Sequence, residues 1–172
     1  RLVIAGHSLG GAVALWLAVN HSELIRGLVL ISTGARRPVN SSLLEELANP
    51  GSSSGEADRI TSWSFSPDAA DQVVDGVRRA LRKTRPAVLE GDFRAADSFD
   101  LRTELSSVTA PTLVLVGELD KMTPPRYSEE LAEGIPDAEL EVIPGAGHML
   151  PLEAPEAVEE RLRAFLEQVG RG

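Results

Sequence analysis

The segment that decides the fold is LVIAGHSLGG at residues 2–11, an apolar run that leads directly into the pattern Gly-x-Ser-x-Gly. A helix-forming run, AVALWLA, follows at residues 12–18. This order of strand, tight turn and helix is typical of a nucleophile elbow. We therefore expect Ser8 to lie in a strained turn that holds its hydroxyl clear of the backbone.

The residues that flank Ser8 have specific expected roles in such a turn. Gly6 and Gly10 are expected to remove side chains that would otherwise collide. The backbone N–H of Leu9 opens the following helix and is predicted to donate to an oxyanion. The alternative interpretation is an ordinary glycine-rich strand-to-helix turn with a solvent-facing serine. A base and an acid further along the chain would decide between the two.

Length, composition and charge limit the class of protein. The chain has 172 residues, 42% of them apolar, which fits one globular domain. It has no apolar run of the roughly 20 residues that a membrane span needs. The net charge of −9 disfavours nucleic acid and anionic membranes as partners. With no cysteine and no zinc-type ligand spacing, we expect no metal site, no cofactor and a cytoplasmic location.

The chain divides by composition into three blocks, and together they predict an α/β fold. Residues 1–35 and 105–172 are predicted to form the core, with parallel strands at 2–5, 27–32, 111–117 and 140–143. Helices are expected at 9–19, 124–133 and 154–169, and the last would bury Val158, Leu162, Phe165 and Leu166.

The middle block, residues 36–104, is predicted to be a helical insertion that caps the sheet. A short helix is expected around residues 43–47, and a second is expected to begin at Ser66, Pro67 and Asp68 because these residue types favour a helix start. Residues 49–55 form a predicted loop. Basic residues of the second helix either steer an acidic substrate or form a solvated face; these are Arg78, Arg79, Arg82, Lys83 and Arg85.

Two polar residues follow the last two predicted strands, and their positions suggest a catalytic set with Ser8. Asp120 comes shortly after the strand at 111–117, and His148 follows the strand at 140–143. The carboxyl ends of parallel strands meet at one edge of a sheet. A serine hydroxyl needs a base to take its proton, and a carboxylate orients that base. The chain order Ser, Asp, His is the order expected for this topology.

Each of these residues also has a plainer interpretation. His148 could be a histidine of a surface loop, and Asp120 could cap a helix that starts at Thr123 and Pro124. The other two histidines, His7 within the elbow and His21 at a helix end, are interpreted as structural. The coincidence of three positions favours the catalytic interpretation over three separate ones.

The motifs around these residues resemble the α/β-hydrolase superfamily. They are GHSLGG at 6–11, GELDKMTP at 117–124, and GAGH at 145–148 followed by Pro155 and Glu156. The similarity is to small capped members: carboxylesterases, enol-lactonases, C–C bond hydrolases and cofactor-free perhydrolases. It covers both end blocks, with the middle block as a variable cap. A serine at the elbow argues against dehalogenases and epoxide hydrolases, which use aspartate there.

The resemblance also implies parts that this sequence does not contain. Family members have about four strands before the elbow, and the loop after the third supplies a second oxyanion donor. We therefore expect the chain to be part of a longer polypeptide whose N-terminal half completes the fold. Without that donor, the isolated chain would lose about 10²–10³ in rate.

The implied activity is hydrolysis of an ester, lactone or related acyl bond of a small molecule through an acyl-enzyme. The alternatives are C–C bond hydrolysis or peracid formation with the same residues, or a binding protein on the same fold. Candidate substrate-binding residues are Trp63 and Phe65 in the cap and Met149 and Leu150 beside the base, although each of these types is also common in a core.

Overall fold

A four-stranded parallel sheet forms the centre of the computed structural model, which describes residues 1–49 and 55–171. The strand order is β1-β2-β3-β4, with β1 at Leu2–His7, β2 at Ile25–Ile31, β3 at Thr112–Gly117 and β4 at Ala138–Ile143. Each neighbouring pair is parallel. The predicted strands are therefore present, with bounds that differ by one or two residues.

Helices cover both faces of this sheet. The described helices of the two end blocks are α1 (Leu9–Asn20), α6 (Pro125–Gly134), α7 (Leu150–Glu153) and α8 (Pro155–Gly170), and those between them are α2 (Ser41–Ala48), α3 (Glu56–Ser64), α4 (Asp71–Lys83) and α5 (Pro86–Ser98). Short 3-10 turns lie at Ser22–Leu24 and Arg102–Ser107. The predicted loop at 49–55 falls largely outside the described residues.

Alternation along the strands divides the core into two clusters. Leu28 and Leu30 of β2 join a cluster with Leu15 and Leu131, from α1 and α6. Their neighbours Val29 and Ile31 point to the opposite face and join a second cluster, which includes Phe165 of α8. Successive strand side chains face opposite sides, so an apolar run buried on both faces fits a sheet sandwiched by helices.

Helix α8 corrects one predicted core position. Val158, Phe165 and Val169 are buried, whereas Leu166 is 48% exposed. The buried residues follow the 3.6-residue period of an α-helix, and Leu166 lies one step off that stripe. The prediction of an inward Leu166 was therefore wrong, and Val169 takes its place.

The helices within residues 41–49 and 55–98, here called the helical segment, pack around a small cluster of their own. Leu43, Leu47 and Ile60 are buried there, with Trp63 and Leu81 packed against them. Helix α4 begins at Asp71 rather than at residues 66–68. Residues 67–68 form a turn instead, closed by the Ala69 N–H donating to the Ser66 carbonyl at 3.3 Å. The Ser66 N–H donates to the Glu153 carboxylate at 2.8 Å and ties this stretch to the end of α7.

The basic face of α4 is occupied by ion pairs. Arg78 pairs with Asp58 and Asp75, and Arg82 pairs with Asp58. These side chains are at least one-third exposed and lie outside the cavity described below. They fit the interpretation of a solvated helix face better than that of a substrate-steering surface. No described helix is long and apolar enough to cross a membrane.

Candidate active site

Ser8 occupies a strained turn between β1 and α1. Its φ of 55° and ψ of −120° lie in a region that non-glycine residues rarely adopt. The turn is held from two sides, because Ser8 N–H donates to the Ile31 carbonyl at 2.9 Å and Thr33 Oγ1 donates to the Ser8 carbonyl at 2.8 Å. The expectation of a strained elbow agrees with this geometry.

The glycines of the elbow differ in their roles. A methyl group on Gly6 would lie 2.2 Å from the Gly10 carbonyl oxygen, so only glycine fits there. A methyl group on Gly10 would meet nothing within 4 Å, and the prediction that Gly10 prevents a collision was wrong. Gly11 has that role instead, since a methyl group there would lie 2.6 Å from Thr33 Cγ2.

Ser8, His148 and Asp120 form a continuous hydrogen-bonded chain. His148 Nε2 is 2.9 Å from Ser8 Oγ, and His148 Nδ1 is 2.9 Å from Asp120 Oδ2. His148 and Asp120 are buried, at 3% and 4% exposure. With Nδ1–H donating to the carboxylate, the lone pair on Nε2 is free to accept the Ser8 proton.

Asp120 does not cap the following helix, since α6 begins at Pro125 with Pro124 at its N-cap and no side-chain cap. It closes the turn that precedes this helix instead. Its Oδ1 accepts from the N–H groups of Met122 and Thr123, and its Oδ2 accepts from Thr123 Oγ1 at 2.8 Å. Burial raises the pKa of Asp120, but the hydrogen bond and charge of His148 and the Thr123 contacts outweigh it, so the net shift is downward. The carboxylate therefore stays ionised, as a partner for imidazolium requires.

The loop that carries His148 is shaped by a glycine turn and by a contact from the end of β1. Gly145 has a φ of +71°, which lets the chain turn after β4. His7 Nε2 donates to the His148 carbonyl at 2.8 Å, and the pKa of His7 is lowered, first by burial and then by the His148 charge. His7 is thus a neighbour that supports the loop, which agrees with its structural interpretation.

Glu153 connects this loop to the helical segment. Its Oε2 accepts from the Gly147 N–H at 3.1 Å and from the Ser66 N–H at 2.8 Å. Close by, the Met149 N–H donates to the Ser64 carbonyl at 3.0 Å. The loop that carries His148 and the C-terminal end of α3 are therefore joined by one backbone hydrogen bond and by the shared Glu153 carboxylate.

A cavity of about 510 Å³ opens above the serine. Ser8 and Leu9 line its floor, and Trp63 lines one wall. Leu9 is the first residue of α1, and the N–H groups of a first helical turn have no intrahelical acceptor. Its remaining lining residues come from the segment after β2, from α2 and α5, from the loop after β3 and from the start of α6: Arg37, Pro38, Val39, Asn40, Leu43, Asp92, Phe93, Ala96, Lys121, Met122, Pro124, Arg126 and Tyr127.

Three of the four predicted substrate-binding residues lie elsewhere. Phe65 is buried at the end of α3, and Leu150 is fully buried in the core cluster on the α8 face of the sheet. Met149 is half-buried and does not line the cavity. Adjacency to the base in sequence suggested Met149 and Leu150, but α7 begins at Leu150 and turns that side chain into the core.

Arg37 is a site residue that the sequence analysis missed. It lies six positions beyond the end of β2, and its Nη2 donates to Ser8 Oγ at 3.0 Å. Its position past the carboxyl end of a parallel strand is the same signal that selected Asp120 and His148. Unlike Ser8, Asp120 and His148, Arg37 stands in no recognisable sequence motif, so its position alone did not distinguish it from its neighbours.

The described acidic and histidine side chains were compared with the arrangement that a metal ion needs. Within residues 1–49 and 55–171, no group of three or more His, Cys, Asp or Glu side chains is arranged to hold a metal ion. The site as described consists of a hydroxyl, an imidazole, a carboxylate and a guanidinium, which suit proton transfer and nucleophilic attack.

Comparisons with known proteins agree on one family. Residues 1–161 match the alpha/beta hydrolase family. A pimeloyl-[acyl-carrier protein] methyl ester esterase of Neisseria meningitidis is 31% identical over 96% of this chain and 57% of its own length. The chain thus spans little more than half of that relative.

Solved structures give the same result. A thermophilic esterase superposes with a TM-score of 0.87 at 39% identity, over 99% of this chain and 67% of its own. The enol-lactonase from Burkholderia xenovorans superposes with a TM-score of 0.90 at 26% identity, over 97% of this chain and 66% of its own. With its parallel sheet, its elbow and a family match over most of its length, the chain belongs to the alpha/beta hydrolase family.

Proposed function

We propose that the protein is a serine hydrolase that cleaves an ester, lactone or related acyl bond of a small molecule. The observation that carries this proposal is the hydrogen-bonded chain from Ser8 Oγ through His148 to Asp120, with both contacts of the imidazole at 2.9 Å. Relatives named esterase and enol-lactonase support the same reaction class.

The proposed reaction has two halves. His148 Nε2 takes the Ser8 proton as Oγ attacks the carbonyl carbon, and imidazolium then returns that proton to the leaving oxygen. This leaves an acyl group on Ser8. Water, activated by the same nitrogen, attacks the acyl-enzyme and releases the acid. Asp120 stabilises imidazolium in both halves.

The oxyanion would be held by two donors. The first is the Leu9 N–H at the start of α1, where the helix dipole adds to the attraction. We propose that the second comes from strands preceding β1, since the relatives are longer than this chain. These strands would pair with the free edge of β1, where Leu2 is 68% exposed.

We propose that the helical segment is a cap that shapes the substrate cavity. Trp63 supports this role because it faces both the cavity and the segment's own cluster. The division into core blocks 1–35 and 105–172 with a cap at 36–104 belongs to the same proposal. We also propose that the protein is located in the cytoplasm, needs no cofactor and does not bind nucleic acid.

The experiment is covalent labelling of the complete gene product with a fluorophosphonate, followed by peptide mapping. We expect one label on Ser8, none in Ser8→Ala, and strongly reduced labelling in His148→Ala. His21→Ala is the matched control, since His21 lies at the end of α1 away from the site, and its labelling should equal that of the parent.

Folded protein without label on Ser8 would contradict the proposal and favour a binding role. If label forms but simple esters leave no acyl group on Ser8, the C–C hydrolase or perhydrolase alternatives would take precedence.

A further inference from the structure

The guanidinium of Arg37 is buried beside the proposed nucleophile without a full set of partners. Its side chain belongs to a residue only 8% exposed. Nη2 donates to Ser8 Oγ, but Nε and Nη1 have no hydrogen-bond partner within the described residues. A buried charge that lacks a counterion is costly, and proteins seldom keep one without a use.

The proposed reaction does not by itself explain this arginine. Ser8 needs a base and an oxyanion site, and His148 and Leu9 are placed for these roles. The carboxylate whose charge acts on Arg37 is that of Asp120, which is already engaged by His148, Met122 and Thr123. Burial lowers the pKa of Arg37, yet an arginine keeps its charge at neutral pH. An anion bound in the adjacent cavity would supply the missing counterion.

The rest of the cavity lining also carries more positive than negative charge. Lys121 and Arg126 line it together with Arg37, and Asp92 is the one acidic residue among its lining residues that the structure describes. This excess of positive charge stands in a chain whose net charge is −9. Oriented cations in a cleft draw anions toward it and favour their binding.

The other walls define the remainder of the ligand. Leu43, Trp63, Phe93 and Met122 make much of the lining apolar. A ligand that suits these walls has a hydrocarbon part as well as a charge.

We propose that Arg37 binds a carboxylate of the substrate, which is then an ester or lactone carrying a carboxylate close to its scissile carbonyl. This inference rests on the proposed hydrolase function and specifies its substrate class. The planar guanidinium matches a carboxylate through paired N–H donors. Arg37 Nη2 is only 3.0 Å from Ser8 Oγ. The carboxylate must then lie within roughly 9 Å of the scissile carbon, allowing about 3 Å for each further contact.

The test compares half-esters of short dicarboxylic acids with neutral esters of the same length. The probes are the mono-p-nitrophenyl esters of succinic, glutaric and adipic acid, and the p-nitrophenyl esters of butanoic, pentanoic and hexanoic acid. In the complete gene product, we expect at least one half-ester to exceed its neutral counterpart in kcat/KM by about tenfold or more.

Variants then assign that preference to one residue. Arg37→Met should lower the half-ester to neutral-ester ratio by about 10- to 100-fold, mainly through KM, because a charge-assisted hydrogen bond is lost. Arg37→Lys should restore part of the ratio, since it keeps the charge without the fork. Arg36→Met is the matched control: Arg36 is the exposed neighbour, pairs with Asp100 and does not line the cavity, so its ratio should be unchanged.

Two results would overturn the inference. One is a parent protein that labels on Ser8 but shows no preference for any half-ester, a result that needs no variant to fold. The other is an Arg37→Met protein in which both ester classes fall equally, since Arg37 would then act on the reacting oxygens. Failure of Ser8 labelling in the parent would instead contradict the proposed hydrolase function, so the two failures are distinguishable.

Discussion

Strand β3 of the sheet buries all six of its residues, whereas helix α4 of the helical segment buries none. The sheet packs against helices on two faces, and the helical segment depends on a small cluster around Leu43, Leu47 and Ile60 together with exposed ion pairs. The elements that end next to Ser8, Asp120 and His148 are thus more deeply buried than the helical segment that lines the cavity. Under the proposed function, reaction chemistry and substrate recognition would be carried by regions of different stability.

The first prediction compares the kinetic effects of substituting Ser8, at the edge of the sheet, and Trp63, in the helical segment. Ser8→Ala should lower kcat for any hydrolysed ester by about 10⁴-fold or more, because the nucleophile is removed. Trp63→Ala should change KM or substrate preference by about tenfold at most, since it alters only a cavity wall. Steady-state kinetics on both variants measure this difference. Equal losses in kcat would contradict the separate roles of the sheet and the helical segment.

The second prediction concerns the elbow and uses two glycines four positions apart. Gly6→Ala should lower the free energy of unfolding by about 4 kcal/mol or more, because its new methyl group would lie 2.2 Å from a backbone oxygen. Gly10→Ala should be neutral or stabilising by about 0.5–1 kcal/mol, since it lies in open space within a helix. Urea denaturation monitored by circular dichroism measures both, and equal destabilisation would contradict the assigned roles.

The third prediction compares the cores of the two regions. Leu30→Ala, at a fully buried position of β2, should lower the free energy of unfolding by about 3 kcal/mol through lost burial and a cavity. Leu81→Ala, at a half-buried position of α4, should cost about 1 kcal/mol or less. If thermal unfolding gave Leu81→Ala the larger effect, the helical segment would be part of the main core.

The fourth and smallest effect is the pH dependence contributed by Asp120. Its pKa in the folded protein lies below the ordinary value of 3.8, so its contribution to stability is present above pH 3.8 and is lost as the pH falls through the folded value. The difference in unfolding free energy between the parent and Asp120→Asn should therefore be largest near neutral pH and shrink on acidification. A difference that grew at low pH would show that the shift has the opposite sign.

The sequence was informative where a side chain follows directly from strand position. Ser8 was selected from the Gly-x-Ser-x-Gly pattern after a strand, and Asp120 and His148 because each follows the carboxyl end of a predicted parallel strand. The structure brings all three into one hydrogen-bonded chain. The strands themselves were evident because continuous apolar runs such as 113–116 suit burial on both faces.

It was less informative where packing between distant segments decides the outcome. Phe65 and Leu150 were expected at the cavity and lie in protein interior, because side-chain direction depends on how α3 and α7 dock. Helix α4 begins at Asp71, and Ser66 bonds instead to Glu153, a residue 87 positions away. Arg37 was missed for a related reason: its burial against Ser8 depends on the path of the chain after β2.

The paired hydrogen bonds of Glu153 make one carboxylate oxygen a mechanical link between the two regions compared above. Gly147, next to His148, and Ser66, at the end of α3, share that acceptor. A shift of the helical segment therefore pulls on the loop that sets the height of the imidazole over Ser8. Replacing this segment to change substrate preference should therefore also shift the position of His148, the proposed base. A replacement that supplies an N–H where Ser66 has one would avoid this shift.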